Sequence, residues 1–333
     1  MSRPLISIVV PTYNRERILS RTLPSLLDQR EPGAEYEVIV VVDGSTDGTL
    51  GLLGGRDWGP RLRFVSQPNR GLASARNRGA AEACGELVLF LDDDMIAAPD
   101  LVSVHLQEHG VSRAYLILGQ MGLADGVRRS FLKQGVEDWG REFAERVSVP
   151  GYRFRFGDIH FGHASIARSL FLDLGRFDES FVAFGNEDYD LGFRLIRRGV
   201  EPRFAQRAQA LQIYDKNLTR WLRDVRSVGR ADVVLAGKHP SIAPELRLSR
   251  RETHPLKQMA RWSGLAARDP LAPAWTGLAW GLSVAERLAL RGGVLSHAQS
   301  LLGERSYWRG VRDARWPAAV SGTASLKRAG RAA

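Results

Sequence analysis

Three consecutive acids directly follow an apolar run in this chain. Residues 87–91 are apolar and lead straight into Asp92, Asp93 and Asp94. Carboxylates this close together repel one another, and a place at the end of a buried strand adds a desolvation cost. Alternate carboxylates, Asp92 and Asp94, could bind Mg²⁺ or Mn²⁺ through oxygen, which would offset that repulsion. Because Mg²⁺ completes its shell with water and substrate phosphates, the pattern points to a phosphorylated substrate.

A second pair of acids begins a predicted helix much later in the chain. In "NEDYDLGFRLIRRG", Asn186 is a candidate N-cap, Glu187 and Asp188 fall in the first turn, and Gly199 ends the pattern. A carboxylate here could act as a general base. Acids in a first turn also stabilise the helix dipole, so both roles stay open on these residues alone.

Strands that alternate with helices must position these groups. Apolar, β-branched runs predict five strands, at residues 5–10, 36–43, 62–67, 86–92 and 114–120. Helical patterns between them predict an α/β fold with a mostly parallel sheet covered on both faces. In such sheets ligands bind at the carboxyl ends of the strands. Residues 11–14, Asp43 and residues 92–94 all lie just past strand ends, so we expect them to converge on one edge.

The alternation weakens after about residue 120. Residues 1–120 and 121–215 are expected to form two halves of one domain, with residues 121–157 as a mobile, charged and aromatic excursion over the sheet. Residues 216–316 predict a basic helical extension, and residues 317–333 a disordered tail. Residues 205–333 carry 22 Lys and Arg against 9 Asp and Glu, a net charge of +13 within a chain total of +10. This asymmetry indicates either an anionic partner, such as a membrane surface, or a solvated arginine-rich surface. Base-stacking aromatic residues are not clustered, so no nucleic acid is expected.

Five motifs together resemble the family-2 glycosyltransferases. "SIVVPTYNR", "VVDGSTDGT", "NRGLASARNRGA", "LVLFLDDDM" and "NEDYDLGFRL" occur in that family's order and approximate spacing over residues 4 to about 200. The resemblance implies a GT-A fold and transfer of a sugar from a nucleotide donor, with inversion, to a glycan, a lipid-linked or a small-molecule acceptor. It also implies a role in polysaccharide biosynthesis, assisted by Mn²⁺ or Mg²⁺.

The resemblance assigns roles to individual residues. Pro11, Thr12 and Tyr13 match the segment placed against the nucleotide base, and Asp43 matches an aspartate that hydrogen-bonds the base. A second group of residues matches the family's diphosphate and metal site. By this resemblance Arg76 lies near the diphosphate, Asp92 contacts ribose or sugar, and Asp94 binds the metal together with Asp92. Asp93 belongs to the same donor-binding run and shapes its turn. Asp188 matches the catalytic base, and Glu187 a helper in acceptor binding.

Two positions depart from the family pattern. Relatives often carry a histidine after the helix of Asp188, whereas this chain reads "LQIYDKN", so Asp215 is a candidate third metal ligand. His163 stands where relatives often have asparagine and is either an acceptor contact or a structural histidine; His160 is expected to be structural. Residues 121–165 are expected to shape the acceptor pocket.

Two other functions compete with glycosyl transfer. A nucleotidyltransferase could use the same sheet and paired acids, but "PTYNRER" is not a glycine-rich phosphate loop. A relative that binds nucleotide sugars without catalysis is the second alternative, although all the matching acids are present. The sequence contains no apolar run long enough to span a membrane, so we expect a cytoplasmic protein, with peripheral contact at the inner membrane face as an option.

Overall fold

The structure, a computed structural model, describes residues 5–30, 35–110, 114–124, 126, 129–181 and 185–314. The tail predicted to be disordered, residues 317–333, lies outside these ranges. The strands are β1 Ile6–Thr12, β2 Tyr36–Asp43, β3 Leu62–Gln67, β4 Leu87–Leu91, β5 Met95–Ala97, β6 Tyr115–Leu123, β7 His163–Ala167 and β8 Glu201–Gln212. The α-helices are α1 Glu16–Leu27, α2 Thr49–Gly54, α3 Leu72–Glu82, α4 Leu101–His109, α5 Phe131–Val147, α6 Arg168–Asp173, α7 Glu187–Arg197, α8 Leu218–Lys238, α9 Pro255–Leu265, α10 Ala272–Arg287 and α11 Gly293–Asp313.

The strands form one eight-stranded sheet in the order β3-β2-β1-β4-β7-β6-β8-β5. Strands β1 to β4 are parallel to their neighbours within that group, β6 and β8 are parallel to each other, and β7 and β5 run antiparallel to the strands beside them. The expected α/β fold with a mostly parallel sheet is confirmed. The carboxyl ends of β1, β2 and β4 therefore lie on one edge, where the predicted polar groups follow.

Alternating side chains of the buried strands cover the two faces of this sheet. Ile8 and Val10 of β1 face a core shared with α1 and α4, whereas Val9 faces a core shared with α3, α5 and α7. Helix α3 packs closely because of Gly79: a Cβ at that position would overlap the Val9 side chain. The helix that carries Arg76 is thus held directly against the strands.

The segment predicted as a mobile excursion contains a long helix. Strand β6 continues to Leu123, and α5 follows over 17 residues. Its apolar positions Val136, Trp139, Phe143 and Val147 recur at helical spacing, so this helix could have been predicted from the sequence. Gly140 lets the helix lie against β6, where an added Cβ would be 3.0 Å from the Met121 carbonyl oxygen.

The chain divides into two compact units. The first comprises residues 1–127, 136–182 and 187–214, and the second residues 128–135, 183–186 and 215–333. In the second unit α8 and α11 pack backbone to backbone, because a Cβ at Gly229 or Gly310 would overlap the facing helix's carbonyl groups. Across the described ranges, none of the helices combines the length and the apolar character needed to cross a membrane.

Candidate functional site

A buried arginine at the sheet edge joins three of the predicted acids. Arg76 on α3 is only 2% exposed. Its Nη1 donates to Asp188 Oδ1 at 2.8 Å and to Glu187 Oε1 at 3.3 Å, and its Nη2 donates to Asp92 Oδ1 at 3.0 Å. Burial alone would lower the pKa of Arg76, but these three carboxylates raise it above its ordinary value. Residues far apart in sequence therefore form one charged cluster, with a permanent cation among three acids.

Asp188 is held at both carboxylate oxygens. Besides Arg76, which binds Oδ1, the backbone N–H of Phe161 donates to Oδ2 at 2.9 Å. Its side chain retains 20% exposure, whereas the side chain of Glu187 retains 6%. The orientation of Asp188 is therefore fixed while part of it still faces solvent, which is what a general base requires.

Glu187 lies in a different environment from its neighbour Asp188. Burial and then the charge of Asp188 raise the pKa of Glu187 to about 7. Its Oε2 atom is buried and has no hydrogen-bond partner among the residues that the structure describes. Adjacent carboxyl groups with different environments can take different protonation states near neutral pH, which is a common arrangement in active sites.

The three consecutive acids are tied to three different elements. Asp92 binds Arg76, Asp93 Oδ2 accepts from Thr12 Oγ1 at 2.7 Å, and Gln212 Nε2 at the end of β8 donates to Asp94 Oδ2 at 3.2 Å. Arg15 adds a weaker ion pair to Asp93, with Nε at 3.7 Å from Oδ1. The repulsion expected from the sequence is therefore only partly offset by Arg76 and Arg15.

Asp94 lies in an environment that disfavours its charged form. Burial, followed by the charges of Asp93 and Asp92, raises the pKa of Asp94 to about 7. A divalent cation held by Asp94 and Asp92 would relieve the repulsion among the carboxylates. Their all-oxygen donor set suits Mg²⁺ or Mn²⁺. Within the described residues no three His, Cys, Asp or Glu side chains are grouped to hold a metal. Mg²⁺ commonly takes one or two carboxylates from a protein, a number that Asp92 and Asp94 could supply.

The end of β1 and the loop after β2 form the neighbouring part of the edge. Pro11 and Thr12 are buried in β1, and Tyr13 follows with 46% exposure. Asn14 has a left-handed backbone, with φ of 53°, and its Oδ1 accepts from the Thr46 N–H at 2.7 Å. The two loops are thereby joined, leaving the Tyr13 ring at the surface beside them.

Asp43 is buried and organises the loop after β3. Its Oδ1 accepts from Gln67 Nε2 at 2.8 Å and from the Arg70 N–H at 2.9 Å, and its Oδ2 accepts from the Gly71 N–H at 2.9 Å. These bonds place the start of α3, and hence Arg76, relative to β2. The predicted contact of Asp43 with a base stays a prediction.

His163 lies in a buried layer between β7 and α4. It is fully buried, its Nε2 is 3.0 Å from His105 Nε2, and His105 Nδ1 is 2.8 Å from Ser165 Oγ. Burial lowers the pKa of His163 to about 3. This position favours the structural role that the sequence left open, over contact with an acceptor.

Asp215 belongs to the second unit, where its Oδ1 lies 4.0 Å from Arg220 Nη1. Its side chain is 37% exposed. The role of third metal ligand stays a prediction for this residue.

Two residues beside the acid cluster were missed in the sequence. Arg15 lies within the quoted "PTYNRER" and could have been noticed as a cation close to the first strand end. Gln212 depends on the register of β8 and carried no local signal. The structural role expected for His160 stays a prediction; both of its ring nitrogens are buried and lack hydrogen-bond partners in the described part of the chain.

A cavity of 720 Å³ lies between α5 and the β6–β8 pair. Its polar lining includes Gln120 and Gln209 on the strands and Glu137, Arg141 and Glu145 on the helix. Part of the region expected to shape an acceptor pocket therefore does form a cavity in the same unit as the carboxylate cluster.

Comparison with known proteins gives a consistent result. The family model described as "Glycosyl transferase family 2" matches residues 7–171. A validoxylamine A glucosyltransferase of Streptomyces hygroscopicus subsp. limoneus is 30% identical over 272 residues, covering 73% of this chain and 58% of that protein's length. The chain thus spans less than two thirds of that relative.

Solved structures share the fold at lower identity. A mannosyltransferase from Pyrobaculum calidifontis, in complex with GDP-Man and Mn²⁺, aligns with a TM-score of 0.59 at 19% identity, over 92% of this chain and 87% of that one. Residues 1–349 of S. aureus TarS, in complex with UDP, align with a TM-score of 0.53 at 20% identity, over 93% and 90%. With the motifs, the sheet and the acid cluster in place, this chain belongs to the family-2 glycosyltransferases.

Proposed function

We propose that this protein transfers a sugar from a nucleotide-diphosphate donor to an acceptor hydroxyl, by direct displacement with inversion and with help from a divalent cation. The observation that carries the proposal is the cluster of Asp188, Glu187 and Asp92 around the buried Arg76. It joins a partly exposed, oriented carboxylate to the strand end that carries the acids matching a donor site.

Asp188 is the proposed base. As the acceptor oxygen attacks the anomeric carbon, its proton passes to Asp188 and the bond between the anomeric carbon and the diphosphate oxygen breaks with its electron pair. The hydrogen bonds from Arg76 and the Phe161 N–H hold the carboxylate for this transfer. Glu187, with its pKa raised to about 7 by burial, is the proposed helper that binds or orients the acceptor.

The donor is proposed to lie along the edge formed by β1, β2 and β4. Pro11, Thr12, Tyr13 and Asp43 would surround the base, and Asp92 would contact ribose or sugar. Asp94, together with Asp92, would hold the divalent cation. When bound, such an ion neutralises the leaving diphosphate as a Lewis acid. Structural relatives in complex with GDP-Man and Mn²⁺ or with UDP support this class of donor.

The test of this proposal is the variant Asp188→Asn, which keeps the size and removes the charge. We expect it to bind a nucleotide sugar with Mn²⁺ as the wild type does, in calorimetry, and to lose at least about 10²-fold in transfer, as for removal of a general base. Asp173→Asn, an exposed carboxylate on α6, is the matched control and should keep full activity. Transfer by Asp188→Asn at the wild-type rate would remove Asp188 as the base.

A second proposal concerns a membrane surface as a partner. Helix α9 exposes Leu256, Met259 and Trp262, the last at 54%, and residues 253–268 contain Lys and Arg but no acid. An apolar face flanked by cations suits the interface of an anionic bilayer. We propose that this helix contacts such a surface peripherally, which would favour a lipid-linked or surface-glycan acceptor over a small molecule.

A further inference from the structure

One exposed indole is fixed in place beside the carboxylate cluster. Trp139 on α5 is 48% exposed. It stacks on the buried Phe143, with ring centroids 5.6 Å apart and planes within 16°, and it meets the edge of His160 at 5.5 Å. Because Phe143 covers one face of the indole and His160 borders it, the indole has a set orientation with apolar surface open to solvent.

His160 brings unsatisfied polar atoms to the same place. Both of its ring nitrogens are buried and lack a hydrogen-bond partner in the described part of the chain. It directly precedes Phe161, whose N–H binds Asp188, and its ring centroid is 4.8 Å from that of Phe143. Buried polar groups without partners are rare in native structures and need an explanation, such as a ligand that supplies the missing bonds.

The surroundings of His160 favour the neutral form of its imidazole. Burial lowers the pKa of His160, while the charges of Asp188 and Asp92 act in the opposite direction without restoring it. A neutral imidazole has one N–H donor and one acceptor nitrogen, so it matches a hydroxyl group, which can also donate and accept. A carboxylate or phosphate would satisfy only the donor.

We infer that Trp139 and His160 form a subsite for a pyranose ring of the acceptor, with the apolar ring face on the indole and a hydroxyl group on the imidazole. The inference rests on the proposed function, and it narrows the acceptor to molecules with a sugar-like ring next to the reacting hydroxyl. Ligand sites commonly combine such an aromatic wall with a few well-placed polar groups. Donor binding is assigned to β1, β2 and β4, whereas Trp139 lies on the helix that packs over β6.

The direct test follows the indole N–H signals in a nitrogen-15 NMR spectrum. Methyl glycosides of glucose, galactose, mannose, xylose, N-acetylglucosamine and N-acetylgalactosamine are the probes, added to the protein with UDP or GDP and Mg²⁺. The Trp139 signal is identified by its absence in Trp139→Phe. We expect at least one glycoside to shift that signal while the Trp280 signal, from a 72% exposed residue on α10, stays in place. If no glycoside shifts the Trp139 signal, the subsite does not exist.

Substitutions separate the subsite from the proposed function. Trp139→Ala should raise the acceptor KM, or the glycoside concentration for half-maximal shift of neighbouring signals, by about tenfold or more, as for truncating a well-packed aromatic contact. Binding of the nucleotide sugar should be unchanged, as it should be in the control Trp280→Ala. His160→Phe keeps an aromatic ring but removes the nitrogens that would bind the sugar hydroxyl group, so it should also weaken glycoside binding.

Each result has one meaning. If the wild-type protein binds no nucleotide sugar, the proposed function itself is contradicted. Unchanged glycoside affinity in both Trp139→Ala and His160→Phe, with nucleotide-sugar binding intact, would overturn the subsite alone.

Discussion

At the scale of single residues, the structure distributes the three consecutive acids among different partners. Asp92 binds Arg76, Asp93 binds Thr12, and Asp94 binds Gln212 and has a pKa raised to about 7. The sequence could predict that these acids and Asp43 share one edge, because parallel strands present their carboxyl ends together. It could not predict that Arg76 lies at the centre of three carboxylates, since that depends on how α3 and α7 approach one another.

The raised pKa of Asp94 predicts a pH dependence for metal binding. A metal ligand must be deprotonated, so protons compete below pH 7, and the affinity for Mn²⁺ should fall by up to about tenfold per pH unit below that value. Above pH 7 the affinity should level off. Calorimetry with Mn²⁺ between pH 5.5 and 8 measures this.

Two variants decide whether Asp94 is responsible for that dependence. Asp94→Asn should bind Mn²⁺ weakly at every pH, whereas Glu187→Gln should keep the wild-type profile although Glu187 also has a raised pKa. A Mn²⁺ affinity that is constant from pH 5.5 to 8 would rule out Asp94 as the titrating ligand.

At the scale of elements, the close packing of α3 on the sheet positions Arg76 among the carboxylates. Gly79→Ala should cost about 1–3 kcal/mol of unfolding free energy, as overpacking usually does, because the new methyl group overlaps Val9. Activity should fall further than stability explains, since Arg76 moves with the helix. Urea denaturation and transfer rates measure the two effects.

Gly51→Ala in α2 is the matched control for that prediction. A Cβ there meets nothing within 4 Å, so the change should be neutral or stabilise the helix by about 0.5–1 kcal/mol. If Gly79→Ala and the wild type have equal unfolding free energies, α3 can shift away from β1 without loss of stability, which would contradict the prediction.

Strand β8 shows the limit of what the sequence could predict. The first four strands could be predicted from their β-branched runs. In contrast, "EPRFAQRAQALQ" of β8 alternates polar and apolar residues, several of them alanine, and has little β propensity. Its pairing with both β6 and β5 stabilises it, and such long-range pairing cannot be read from a local pattern. The residues that depend on it, such as Gln212 beside Asp94, were therefore missed as well.

At the scale of the whole molecule, the uneven charge has a testable consequence. The protein should sediment with vesicles that contain phosphatidylglycerol and not with phosphatidylcholine vesicles, and added salt should weaken the binding because it screens surface charge. Met259→Ser with Trp262→Ser should reduce binding by removing apolar surface from α9. Leu50→Ser, on the exposed side of α2, is the control and should bind as the wild type does.

Two outcomes would contradict that prediction. Equal sedimentation with both kinds of vesicle would show that charge does not drive the binding. Unchanged binding by the double variant would show that α9 does not contact the membrane. In the second case the basic residues 205–333 would act by charge alone, without insertion.

The central claim is metal-assisted displacement with inversion, with Asp188 as the base. It can be tested without knowing the acceptor, because water can take the acceptor's place. The protein is incubated with a panel of UDP, GDP and dTDP sugars and Mn²⁺, and proton NMR follows the anomeric configuration of the sugar first released. The account predicts that at least one donor is cleaved with inversion, that the reaction requires the cation, and that Asp188→Asn abolishes it. Release with retained configuration, or release at the wild-type rate by Asp188→Asn, would contradict it.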